Sequence, residues 1–197
     1  VEAVPKGILF WRSFTHWLGG MGILAFTMAL LPSMGVGTLQ VYKAETTGPI
    51  TGKLKPKMRE TAKMLYLVYG IITVAQIIAL LTAGMPLYDS LVHTFGTVGT
   101  GGFSLYNKSI GHYHNPSFEW IITIFTFLSG VNFSLYYDAL YGNFRTLLKD
   151  KEFQVYTAIV IVSIVMIAAN INAFVFHDVS GSIRHASFQV MTIMSTT

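Results

Sequence analysis

The sequence predicts an all-α membrane protein in which a unit of spanning helix, re-entrant half-helix, irregular segment and spanning helix recurs but is incomplete in this chain. Three observations lead there. The composition is too apolar for a water-facing surface, the apolar runs come in two distinct lengths, and the lysines and arginines cluster in particular loops.

Of the 197 residues, 52% are hydrophobic and 11% charged, where a soluble domain carries about a quarter charged. The charges that exist lie mostly in two stretches, so the apolar excess faces lipid. The net charge of +4 is small, and no basic stripe with interleaved aromatics accompanies it, which argues against nucleic acid. No cysteine occurs, so there is neither a disulfide frame nor a Cys-based metal site. The start, Val1-Glu2-Ala3-Val4-Pro5, has neither an initiator Met nor a charged signal-peptide start, and the chain reads as an excerpt of something longer.

Residues 8 to 31, 64 to 83 and 154 to 176 are each long and apolar enough to cross a hydrocarbon core of about 30 Å, which takes roughly 20 helical residues. A fourth run, 118 to 141, is long enough but holds Glu119, Asp138 and a central Gly130-Val131-Asn132; it reads as a span with a local break. Two shorter stretches, 86 to 98 and 182 to 195, would rise only about 20 Å as helices. Each follows a breaker (Gly84-Met85-Pro86; Gly181-Ser182) and runs into small or hydroxylated residues (Gly99-Thr100-Gly101-Gly102; Ser195-Thr196-Thr197). That is the profile of a half-helix followed by irregular backbone.

Charge placement orients the spans. The stretch from 33 to 63 holds Lys43, Lys53, Lys55, Lys57, Arg59 and Lys63, and that from 142 to 153 holds Arg145, Lys149 and Lys151, whereas 84 to 117 holds only Lys108. Basic loops stay in the cytoplasm, so both half-helices enter from outside. Lys6 and Arg12 count mildly against this orientation. The full order of elements runs from 64 to 141. A partial copy precedes it, with Gly20 falling against Gly130, and another follows, with Thr196 against Thr100; few identities support the repeat, but such repetition is common in transporters.

The most informative stretch is Leu91-Val92-His93-Thr94-Phe95-Gly96-Thr97-Val98-Gly99-Thr100-Gly101-Gly102-Phe103-Ser104. Carbonyl oxygens replace the water around a dehydrating cation only where the chain is irregular enough to aim them inward, and glycines allow it. The half-helix directs the negative end of its dipole at the same place, which favours a cation. Phosphate binding lacks the Lys after the glycines and the preceding strand that it needs.

Phe10-Trp11-Arg12-Ser13-Phe14-Thr15-His16-Trp17-Leu18-Gly19-Gly20-Met21-Gly22, Thr100-Gly101-Gly102-Phe103-Ser104 and Gly130-Val131-Asn132-Phe133 carry a resemblance. Together with Gly35-Val36-Gly37, Gln40-Val41-Tyr42-Lys43-Ala44-Glu45 and Arg59-Glu60-Thr61-Ala62-Lys63, they make the chain similar to the Trk/Ktr/HKT superfamily of potassium transporters, nearest its bacterial TrkH type, along essentially the whole length. The resemblance implies four units of outer helix, pore helix, filter and inner helix in one polypeptide. Residues 1–45 would then hold the inner helix of the first unit. Residues 46–153 would be the complete second unit, with outer helix 64–83, pore helix 86–98, filter 99–104 and inner helix 118–141. Residues 154–197 would open the third, with outer helix 154–176, pore helix 182–195 and the start of a filter.

On this mapping the filter residues are Thr100, Gly101, Gly102, Phe103, Thr196 and Thr197, with K+ held at Thr100, Gly101, Thr196 and Thr197, and Val98, Gly99 and Asn132 are candidates to line the path. The resemblance further implies potassium uptake as part of a Trk system, no cofactor besides the transported K+, a homodimer, a cytosolic nucleotide-binding regulatory subunit (TrkA-like), contact with membrane lipid, and a multi-pass place in the bacterial inner membrane.

Other residues have plainer readings. Arg12 is either a charge at the mouth of the path or an arginine snorkelling to the interface. Asn132 lines a cavity or bonds between helices. His112 and His114 lack a third metal ligand and read as loop residues. The methionines read as packing and the aromatics near span ends as an interfacial belt. Two other functions stay open: an intramembrane enzyme, for which His93 and Asp138 are the candidates and neither has a partner at a motif-like spacing, and a scaffold subunit, which leaves the half-helices unexplained.

Overall fold

A computed structural model describes residues 1–20, 22, 58–132, 135–136, 139, 144–173 and 178–197. The second half of the first expected span, most of the basic stretch from 33 to 63, and Phe133 and Asp138 lie outside the described residues. Among the described residues every regular element is a helix. The long helices are α1 (Lys6–Gly20), α2 (Met58–Thr82), α3 (Leu87–Val98) and α4 (Pro116–Ser129), followed by a short α5 (Phe144–Lys149), then α6 (Lys151–Ile171) and α7 (Val179–Ser195). A 3-10 turn, Ser109–Tyr113, lies between α3 and α4.

Local chemistry sets the boundaries. Asn115 caps α4 through its side-chain oxygen on the Ser117 N–H, and Pro116 opens the helix where a missing N–H costs nothing. The helix stops at Gly130, at the break expected within the fourth run. Asp150 accepts from the Phe153 N–H and starts α6 three residues ahead of the expected 154. Asp178 accepts from the Ser180 and Gly181 N–H groups and starts α7 at Val179, ahead of the expected 182. Gly181 therefore lies inside the helix, where it leaves room for the capping carboxylate: a Cβ there would stand 2.8 Å from Asp178 Oδ2.

Two segments, Leu65–Thr82 and Lys151–Ile171, are long and apolar enough to cross a membrane, with mean hydropathies of 2.1 and 2.0. At 1.5 Å per residue they rise about 27 and 31 Å. Only 11% of the second is buried inside the molecule, and Val155, Ile159, Val162, Val165 and Met166 are exposed along it. A soluble core helix would bury such a face; here lipid is the medium that fits it.

The centre of the fold is α3. It packs against α1, α2 and α4, and nine of its twelve residues are buried. Phe10, Phe14 and Trp17 of α1 surround Phe95 of α3 at ring-centroid distances of 5.8, 5.8 and 5.5 Å. Val68, Tyr69 and Ile72 of α2 close on Val98. The other half-helix, α7, packs on α4 and α6, so α4 and α6 stand to α7 as α1 and α2 stand to α3. A side-chain ion pair ties α7 to α4, with Arg184 Nε 3.0 Å from Glu119 Oε2.

The same seam recurs at closer range. Tyr69 of α2 donates to the Trp17 carbonyl at 2.8 Å, three residues before Gly20; Tyr156 of α6 donates to the Phe127 carbonyl at 3.4 Å, three residues before Gly130. A Cβ on Gly20 would stand 2.6 Å from the Tyr69 hydroxyl, and one on Gly130 would collide with the Tyr156 hydroxyl. Gly20 and Gly130 thus do the same job, each admitting a tyrosine from a long apolar helix later in the chain.

Candidate functional site: the loops that follow the half-helices

Both half-helices end in one hydrogen-bonded arrangement. After α3, the Thr100 N–H reaches the Thr97 carbonyl at 3.1 Å and the Gly101 N–H the Gly96 carbonyl at 2.7 Å; after α7, the Thr196 N–H reaches Ile193 at 3.3 Å and the Thr197 N–H Thr192 at 2.9 Å. These are paired Schellman closures, which place one residue in the left-handed region. That residue is threonine both times, with φ of 52° at Thr100 and 56° at Thr196. Glycine is the ordinary occupant, and a β-branched residue pays steric strain there. Strained backbone repeated at matching places is a feature of functional sites.

The closure consumes N–H groups and spares carbonyls. Gly102 N–H also turns back to Gly96, at 3.1 Å, while among the described residues no donor reaches the carbonyl oxygens of Gly99, Thr100, Gly101, Gly102 or Phe103. Five consecutive acceptors are thus left without a protein donor, and only that of Gly99 belongs to a buried residue. Thr100, Gly101 and Ser104 are partly exposed and Gly102 and Phe103 exposed, Phe103 by 45%. The arrangement can present oxygen atoms to a cation, while the N–H groups of Gly99, Thr100, Gly101 and Gly102 are taken up by the closure.

The two loops meet. A Cβ on Gly102, whose φ is +65°, would collide with the backbone carbonyl carbon of Thr197 and lie 3.1 Å from its Cα. The expected filter residues Thr100, Gly101, Gly102, Phe103, Thr196 and Thr197 are therefore brought to one place. A cavity of about 70 Å³ lies behind them, lined among others by His93, Thr97, Ser104 and Thr192. Gly99 is buried, with room for no side chain: a Cβ would stand 2.8 Å from the carbonyl oxygens of His16 and Phe95. Val98 sends its side chain into the apolar cluster with Val68, Tyr69 and Ile72, and it is not on the open side of the loop. Asn132 lies elsewhere, beside a second cavity with Glu152 and Tyr156, and its side-chain amide donates to Glu152 Oε2 at 3.4 Å. It thus follows the end of α4, lines that cavity and reaches the first turn of α6.

Sequence reasoning missed how α1 backs the loop. Arg12 Nη2 donates to the Ser104 carbonyl at 3.0 Å, and its guanidinium lies 4.7 Å from the centre of the Phe103 ring. One turn on, the His16 ring is 4.9 Å from Phe103 and would be 2.9 Å from a Cβ on Gly101; a further turn on, Gly20 would set a Cβ 2.8 Å from Gly99 Cα. Positions 12, 16 and 20 form one line on a helix, and that spacing was the available signal.

A second missed group holds the outer end of α3. Tyr113 donates to Asp89 Oδ2 at 2.6 Å and lies 3.4 Å from His93 Nε2. Burial pushes the Tyr113 hydroxyl well above its ordinary pKa, and its bond to Asp89 pushes it further. It stays a neutral donor. His112 stacks on Tyr106 at 3.7 Å, a loop contact as its sequence reading has it.

A half-helix buried among three neighbours, handing over to an irregular loop of free carbonyls beside apolar spans, defines a class of helical membrane protein with re-entrant segments. The chain belongs to the TrkH family, described as cation transport protein, whose profile matches residues 1–196. It is similar to the Trk system potassium uptake protein TrkH of Salmonella typhimurium, with 37% identity over all of this chain and 41% of the relative. The protein of the same name from Escherichia coli is 38% identical over the same shares. The crystal structure of the potassium transporter TrkH from Vibrio parahaemolyticus superposes with a TM-score of 0.76 at 29% identity, covering 98% of this chain and 39% of that one. The chain thus spans about two fifths of the length of the relatives it matches.

Proposed function

We propose that these 197 residues are part of a potassium uptake protein of the Trk system and supply two of the segments that line its selectivity filter. The observation that carries the reading is the run of five unpaired carbonyls from Gly99 to Phe103, held at its deep end by the same closure that recurs at Thr196. Potassium loses its water where oxygen atoms replace it. Thr100, Gly101, Gly102 and Phe103 contribute from one unit, and Thr196 and Thr197 from the next. In this reading α1 is an inner helix of the first unit, residues 46–153 are the second unit and 154–197 begin the third.

The names of the relatives support potassium as the ion and argue for a transporter rather than an enzyme or scaffold. The whole protein then sits in the inner membrane as a multi-pass homodimer, with a nucleotide-binding regulatory subunit on its cytoplasmic side, where the basic stretch from 33 to 63 faces. The test is growth. Cells stripped of their own potassium uptake are given the whole protein and moved to low potassium. Restored growth is expected, and failure to grow despite normal abundance in the membrane defeats the proposal.

A further inference from the structure

The deep end of the loop is fixed by its own helix, through the bonds from Thr100, Gly101 and Gly102 to Gly96 and Thr97. The outer end has no such closure. Among the described residues, the only hydrogen bond that residues 99–104 receive from another element is the one from Arg12 to the Ser104 carbonyl. Nor is Arg12 stretched toward an interface, as a snorkelling arginine would be. Its guanidinium lies against Phe103, its Nε is out of reach of solvent with no acceptor, and no described carboxylate pairs with it.

From Arg12 to Gly20 a helix rises about 12 Å, and over that rise the contacts pass from Ser104 and Phe103 through Gly101 to Gly99. The loop is thus laid out along α1, in the opposite direction, with Arg12 at its outer end. A planar guanidinium can donate to a carbonyl and lie over a ring at once, whereas an ammonium is a point charge that serves one of these contacts at a time.

We infer that Arg12 is a positioning residue for the filter: by binding the Ser104 carbonyl and covering Phe103 it fixes where the outer carbonyls stand, and so sets the discrimination between potassium and sodium. This rests on the potassium-uptake reading. Leu105 is anchored against Leu9 and Val92 just beyond, but whether discrimination arises from the size of the cage or from the number of oxygens that converge, a loop whose Ser104 carbonyl and Phe103 ring are released loses it.

The experiment places Arg12→Lys, Arg12→Gln, Phe103→Leu and Phe103→Tyr in the whole protein, in cells lacking their own potassium uptake. It measures membrane abundance, KM and maximal rate for potassium, and the potassium-to-sodium uptake ratio. Arg12→Lys keeps the charge and loses the fork, so the ratio is expected to fall roughly tenfold at unchanged abundance, with Arg12→Gln falling at least as far. If Arg12→Lys keeps the wild-type ratio while Arg12→Gln lowers KM, the residue acts only as a charge at the mouth and the inference is overturned. Should neither arginine variant accumulate, Phe103→Leu and Phe103→Tyr decide together: a ratio reduced in the leucine variant and kept in the tyrosine variant, which retains the ring under Arg12, supports the inference, and an equal fall in both or an unchanged ratio in both overturns it. A wild-type protein that moves no potassium defeats the underlying reading instead.

Discussion

Adding one methyl group to Gly102 tests the meeting of the two loops directly. Two costs follow from the geometry. With φ at +65°, alanine sits in a left-handed conformation that is disfavoured for L-residues by about 1–2 kcal/mol. The new Cβ also lies 3.1 Å from both Thr197 Cα and its carbonyl oxygen, and closer to the carbonyl carbon, whereas carbon atoms rest at about 3.5–4.0 Å. These are backbone atoms, so no rotamer relieves the contact and the two loops must part by roughly 1 Å. A displacement of that size at reacting groups costs about a hundredfold in enzymes, and a loss of roughly tenfold or more in uptake is expected here. The assay is initial-rate uptake of radiolabelled rubidium, with and without competing sodium, normalised to protein in the membrane. Gly111→Ala is the control, because nothing lies within 4 Å of a Cβ there. If Gly102→Ala transports and discriminates like the wild type, the two loops do not abut in the working protein and the filter assignment fails.

Thr100→Gly removes the strain of a β-branched residue at φ 52° and is expected to raise the melting temperature in detergent, by up to about 1 kcal/mol of stability, while lowering cation discrimination. A clear fall in stability would count against the left-handed assignment. Tyr113→Phe takes the donor from the buried Asp89 carboxylate and is expected to cost about 1–3 kcal/mol. The Tyr113 pKa is raised above its ordinary 10.0, so its contribution is complete below pH 10 and lost as pH climbs through the higher folded value. Melting curves of wild type and variant are therefore expected to stay apart up to pH 10 and converge above it; convergence already near pH 8 would refute this account.

Much of the architecture was legible because bilayer thickness imposes lengths. The span expected at 64 to 83 overlaps α2 in all but its last residue, the half-helix expected at 86 to 98 is one residue longer than α3, and the break expected at Gly130 ends α4. The starts of α6 and α7 were less so. Asp150 and Asp178 had capping chemistry, but Gly181-Ser182 read as a breaker, since a glycine that makes room for a cap looks in sequence like one that ends a helix. The candidate filter residues could be named because glycines and threonines after a half-helix have a local meaning. Arg12 carried two readings, and its partner Ser104 lies 92 residues away in sequence. A long-range contact of that kind leaves no local mark. The αL threonines were also hidden, because nothing in a threonine announces the conformation usually reserved for glycine.

The tyrosine that crosses each seam has a consequence for any polypeptide assembled this way. Tyr69 fastens onto the helix before it, beside Gly20, and Tyr156 does likewise beside Gly130. Each glycine-tipped helix is fastened by a helix made after it. The order of fastening is then the order of synthesis, and α1 and α4 stay unlatched until α2 and α6 have emerged. Loss of either tyrosine hydroxyl would therefore loosen a helix that precedes it in the chain rather than the one that carries it.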